Sequence, residues 1–226
     1  WKMFATTSPL IFVQNTLSGV LPELIDYGTA SCSFTDGRFE DYLRLASELE
    51  TVDETDWESF DSRFASGEIV LNDTTLRDAA YLAALEEYYG QALTPIGWPS
   101  LDGSCGSRLT AWADMGIVSS GDVGAAWEFM RFLLSDGEPQ SGLFAGSFPM
   151  CRTALEALLS EWLDAAGAGE LLTLIGALEY RDLSGTTAAQ IVCEEAEACF
   201  SGARSFGETA ELVQDRVGLW LSEQFS

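Results

Sequence analysis

Helical periodicity broken by a few short β-rich runs predicts an α/β chain, rich in helix, with its strands separated by helices. Three observations carry that class. Two capping boxes stand in front of apolar-periodic stretches, glycines sit where helices have to stop, and the β-rich runs fall between helical stretches.

Taken in order, the first capping box is Thr55-Asp56-Trp57-Glu58, in which the Thr hydroxyl and the Glu carboxylate satisfy each other's backbone N–H. Phe60 and Phe64 follow at i,i+4 on one face, and Gly67 supplies a left-handed stop. Glu68-Ile69-Val70-Leu71 reads as a short strand ending in the turn signal Asn72-Asp73. A helix is expected over about 75–89, closed by Gly90, then a strand over 93–98 ended by Pro99. Residues 100–107 form a Gly/Ser-rich loop, and 110–118 is a further strand candidate containing Trp112 and Ile117. Helix returns at about Asp122, where Ala126, Phe129, Met130 and Leu133 make an apolar stripe. Leu134-Ser135-Asp136-Gly137 ends it, Phe148-Pro149 marks an extended crossing, and another helix starts near Thr153. The last two helices are expected over about 186–200, stopped by Ser201-Gly202, and from the second capping box, Ser205-Phe206-Gly207-Glu208, onward. Ala210, Val213, Val217 and Trp220 recur at 3–4 spacing in the latter, and no internal repeat is present.

With 226 residues, 47% of them hydrophobic, the chain can bury a sizeable core. Acidic residues outnumber basic ones 36 to 11, for a net charge of −25, and Lys2 is the single lysine. Such a surface repels phosphate backbones and anionic bilayers, so nucleic acid is excluded as a partner. Leu10-Ile11-Phe12-Val13 is among the longest apolar runs, far short of the about 20 residues a bilayer needs. The five cysteines (Cys32, Cys105, Cys151, Cys193, Cys199) show no CxxC spacing and there is no histidine, which argues against zinc. Buried free thiols are expected, with one disulfide an open alternative. No cofactor or metal is implied.

Catalysis finds little support. There is no histidine base, no G-x-S-x-G elbow and no P-loop, and the loop at 103–107 lacks the lysine of a phosphate cradle. Glu194, Glu195 and Glu197 are expected on a helix surface, where so acidic a chain produces carboxylate pairs by chance. The reading is therefore non-enzymatic.

Four stretches in order carry a family resemblance. Leu24-Ile25-Asp26-Tyr27 through Cys32-Ser33-Phe34-Thr35-Asp36-Gly37-Arg38-Phe39 forms an acidic-aromatic turn leading into a helix. Phe64-Ala65-Ser66-Gly67-Glu68-Ile69-Val70-Leu71 is a helix-Gly-strand step. Ile96-Gly97-Trp98-Pro99 with Gly103 precedes Met115-Gly116-Ile117-Val118-Ser119-Ser120 and Ala125-Ala126-Trp127-Glu128-Phe129. Glu194-Glu195-Ala196 to Phe200-Ser201-Gly202, with Gln214-Asp215-Arg216-Val217, completes the set. Together they resemble the extracellular solute-binding proteins of ABC importers, the family that includes maltose-binding protein. The resemblance implies a helix-rich lobe of a periplasmic-binding-protein-like (type II) two-lobed fold. It makes the chain the C-terminal portion, with a second lobe over about 1–98 and 153–226 and a segment near 110–152 that packs with a first lobe not included here.

The same resemblance implies capture of a small solute, a carbohydrate foremost, for delivery to ABC permease subunits. It places the protein outside the cell, held to the membrane by an N-terminal lipid beyond this chain. The candidate ligand-binding residues are Phe4, in a passage from strand to helix at the cleft, and Asn72 and Asp73, in the loop after the short strand. Trp98 at the end of a hinge-like strand is a stacking platform, and Arg108 on the Gly/Ser loop is a partner for an anionic group. Gln190 stands in Ala188-Ala189-Gln190, where sugar-binding relatives carry an aromatic residue. Asn72-Asp73-Thr74-Thr75 likewise lacks the ring that relatives place there, which favours a small polar ligand over a long stacked oligosaccharide. Some candidates have a plainer reading: a helix cap for 72–74, core packing for Trp98, a surface ion pair for Arg108. The competing reading of the whole chain is a stand-alone helical protein-interaction domain without a small-molecule ligand.

Overall fold

The computed structural model describes residues 2–4, 8–49, 57–72, 74–99, 101, 105–106, 108–109, 121–135, 146–178, 180–181, 183 and 185–224. It is rich in helix, with short strands in pairs. In chain order the elements are β1 (Lys2–Phe4), α1 (Pro9–Leu24), β2 (Ile25–Asp26), β3 (Ser31–Cys32), α2 (Arg38–Ser47), α3 (Trp57–Ala65), β4 (Ile69–Leu71) and α4 (Ala79–Tyr89). There follow β5 (Trp98–Pro99), β6 (Cys105–Gly106), β7 (Arg108–Leu109), α5 (Val123–Leu133), α6 (Arg152–Trp162), α7 (Ala165–Gly176), β8 (Tyr180–Arg181), α8 (Thr187–Phe200) and α9 (Phe206–Gln224). None of the described helices is long and apolar enough to cross a membrane.

The chain divides into two compact units. The first comprises Trp1–Asn72, Ile96–Thr110 and Ala177–Ser226; the second comprises Asp73–Pro95 and Ala111–Gly176. The expected lobe boundaries differ from this division, since 73–95 and 153–176 belong to the second unit with 111–152. The physical reason is that α6 packs on both α4 and α7 around a cluster of their own, Ala79, Leu82, Leu155, Leu159 and Leu171.

The first unit holds all the described strands and the larger core. α1 packs on α2 and α8, and α9 packs on the same two helices, so that four helices close a ring. Phe12, Val13, Leu17 and Leu21 of α1 meet Phe39 and Leu43 of α2, Val192 and Ala196 of α8, and Val213 and Val217 of α9 in one cluster. Each fully buried Val, Leu or Phe side chain among them contributes about 1.5–3 kcal/mol of transfer free energy. α1 starts because Ser8 accepts from the Ile11 N–H and Pro9 is preset for the first turn. It is buried along most of its length, so its polar residues need partners inside. Ser18 Oγ accepts from the Leu183 N–H (2.8 Å), and Thr16 Oγ1 donates to the Phe12 carbonyl (2.8 Å) while lying 2.5 Å from the Tyr42 hydroxyl.

Several terminal signals act as expected. Glu208 N–H donates to Ser205 Oγ, and Glu208 Oε2 accepts from the Ser205 N–H (2.8 Å), the reciprocal capping box of α9. Asp122 caps α5 and Thr186 caps α8. Gly67 and Gly90 adopt φ of 74° and 67°, the left-handed stops that α3 and α4 require. The Thr55 capping box and the 110–118 strand candidate lie outside the described residues. Two expectations are corrected. The helix placed at 75–89 begins at Ala79, because Asp78 Oδ1 takes the Tyr81 N–H (2.8 Å) and fixes the start there. The strand placed at 93–98 is reduced to Trp98–Pro99, the stretch before it being irregular. The helix α7, built on Ala165-Ala166-Gly167-Ala168-Gly169, was not anticipated, since small residues give a weak apolar period.

Candidate functional site

The candidate site begins at β1 and β4. They pair in parallel, Lys2 opposite Ile69 and Phe4 opposite Leu71. Both strands therefore end at the same edge, and Asn72 leaves the ladder beside Phe4. In open α/β sheets the carboxyl ends of parallel strands are where backbone groups are left free for ligands. Asn72 is half-buried, and its carboxamide makes no hydrogen bond to any described residue. That group offers two donors and one acceptor, a set suited to hydroxyl-bearing ligands. Thr74, two residues on, is exposed and hydrogen-bonds through Oγ1 to the Tyr81 hydroxyl (3.2 Å). The cap of α4 is Asp78, so the alternative role of 72–74 as that helix's cap does not hold.

Trp98, Arg108 and Gln190 lie in other elements. Trp98 lies in β5, antiparallel to β6, opposite Gly106; Arg108 lies in β7, parallel to β8, opposite Tyr180. Asp73 and the side chains of Phe4, Trp98 and Arg108 are outside the described residues. Gln190 is exposed in the first turns of α8, its N–H bonded to the Thr186 carbonyl (3.0 Å). No hydrogen-bonded ladder among the described residues joins β1–β4 to either of the other two pairs.

Three features were not read from the residues. The first is an ionic cluster. Glu195, expected on a surface, is buried (7% exposed), and it ties α8 to α9. Its Oε1 accepts from Arg216 Nη1 (2.6 Å), its Oε2 meets Arg204 through charge rather than an aligned hydrogen bond, and Arg216 also reaches Glu194 (2.7 Å). Both oxygens are thus engaged within the fold, and no proton-transfer role follows from this carboxylate.

The second is an open cavity of about 300 Å³ where α1 gives way to the β2–β3 hairpin, lined by Glu23, Asp26, Tyr27, Ser31 and Ser33 among others. Its carboxylates already serve the backbone. Glu23 Oε1 accepts from the Leu101 N–H (2.9 Å), and Asp26 Oδ1 accepts from Gly28 (2.8 Å) and Thr29 (3.2 Å). Bonds from the Thr29 hydroxyl first, and then from the Gly28 and Thr29 amides, hold the Asp26 carboxyl below its ordinary range. Arg38 is held on Asp36 (2.8 Å) and donates to the Glu23 carbonyl (3.3 Å), which neutralises the end of α1. The arrangement is a turn and a helix stop rather than a ligand grip.

The third is Gln214 on α9. Its Oε1 accepts from the Phe34 N–H (2.7 Å) and its Nε2 donates to the Cys32 carbonyl (3.0 Å). One side chain thereby does for this hairpin what a further strand would do. Phe34 and Phe39 lie edge to face beneath it, centroids 5.1 Å apart.

The cysteines differ in part from expectation. Cys199 is buried, whereas Cys32 and Cys193 are half-buried, unbridged thiols whose pKa burial raises. They are poor nucleophiles, since the thiolate is the reactive form. Among the described residues no group of three acidic or cysteine side chains converges as a metal site would require. No family model and no curated protein matches the chain.

Proposed function

We propose that this chain is the solute-gripping portion of an extracytoplasmic binding protein, a periplasmic-binding-protein-like (type II) lobe that delivers a small carbohydrate to an ABC permease. The observation that supports this reading most is the parallel pairing of β1 and β4, which sets Phe4 and Asn72, whose carboxamide bonds to no described residue, at one carboxyl edge. The order of motifs along the chain, from the Asp26–Phe39 turn to the α8–α9 pair, agrees with it. Membrane attachment through an N-terminal lipid and export from the cell belong to the same proposal. The test is isothermal titration of the full-length protein with mono- and disaccharides, alongside Asn72→Ala. Loss of one or two neutral hydrogen bonds lowers affinity about 3- to 30-fold. The reading fails if no sugar binds, or if Asn72→Ala binds as the parent does.

One observation favours the competing reading, a helical protein-interaction domain with no small ligand. No residue of α5 is buried, and Val123, Trp127, Phe129 and Phe132 are each about half exposed. Under that reading the sugar titrations are silent, and Trp127→Glu with Phe132→Glu abolishes association with a protein partner.

A further inference from the structure

We draw no further inference here: the strongest candidate, the exposed aromatic side chains of α5 (Trp127, Phe129 and Phe132), carries nothing because no described residue shows what covers them.

Discussion

Replacing Gln214 with alanine removes two hydrogen bonds to the backbone with one substitution, because its carboxamide both accepts from the Phe34 N–H and donates to the Cys32 carbonyl. Each bond is worth about 1 kcal/mol net, and each backbone group left partly buried without a partner costs about 1–3 kcal/mol. The β2–β3 hairpin should therefore lose about 2–3 kcal/mol of its hold on α9. A global melt is a blunt probe, since two compact units with separate apolar clusters need not unfold in one transition. Amide exchange at Phe34 is the local readout, and a loss of about 2–3 kcal/mol accelerates it about 30- to 150-fold. Gln214→Glu is the companion variant. It keeps an acceptor for Phe34 but sets a carboxylate oxygen against the Cys32 carbonyl, so protection of the Phe34 amide should fall between that of alanine and that of the parent. Exchange at Phe34 within about twofold of the parent in Gln214→Ala would refute the clamp. So would parental protection in Gln214→Glu.

Glu195→Ala should destabilise the α8–α9 pair by about 2 kcal/mol, between the cost of breaking a surface pair and a fully buried one, because Arg204 and Arg216 remain partly solvated. Urea titration followed at Trp220 reads this, and a change below about 0.5 kcal/mol contradicts it. Tyr42→Phe should cost about 1 kcal/mol by removing the hydroxyl's bonds to Thr16 Oγ1 and the Val13 carbonyl. Adding Thr16→Val should cost less than the sum of the two single changes, and strict additivity in the double-mutant cycle contradicts the shared network. The Ser205 N–H first, and then its hydroxyl, lower the Glu208 pKa. A folded pKa below the unfolded one contributes stability that is complete above the unfolded value and lost as pH falls through the folded value. The start of α9 should therefore be unchanged from neutral pH down to about 5 and loosen below about 4, measured as exchange at the Glu208 amide. Glu208→Gln should flatten that response, and an unaltered acid profile in this variant would count against the cap.

What could be read from the residues was mostly what is local. Ser205 and Glu208 lie three apart and fix a helix start with no help from the rest of the chain, and Gly67 and Gly90 stop helices by their own backbone freedom. Where two local signals competed the outcome depended on context. Asp78 captured the start of α4 although Thr74 and Thr75 offered an earlier one, and Thr74 turned to the Tyr81 hydroxyl instead. Long-range partners were not legible at all. Glu195 looks like any acid on an acidic helix until Arg204 and Arg216 converge on it, and Gln214 meets its partners 180 residues away along the chain. The same limit applies at the candidate site. Asn72 after a short strand is visible in the residues, but its position beside Phe4 needs the parallel register of β1 with β4. Gln190, Trp98 and Arg108 belong to separate elements, and among the described residues no ladder gathers them with Asn72.

The central claim, capture of a small solute, is tested most directly by thermal unfolding of the full-length protein against a panel of mono- and disaccharides. A ligand that binds only the folded state, present at about 100 times its Kd, adds about 2.7 kcal/mol. For units of this size that raises Tm by about 5 °C or more. The account predicts such a rise with at least one sugar and a smaller one in Asn72→Ala. A folded protein whose Tm is unmoved by every sugar in the panel would contradict it.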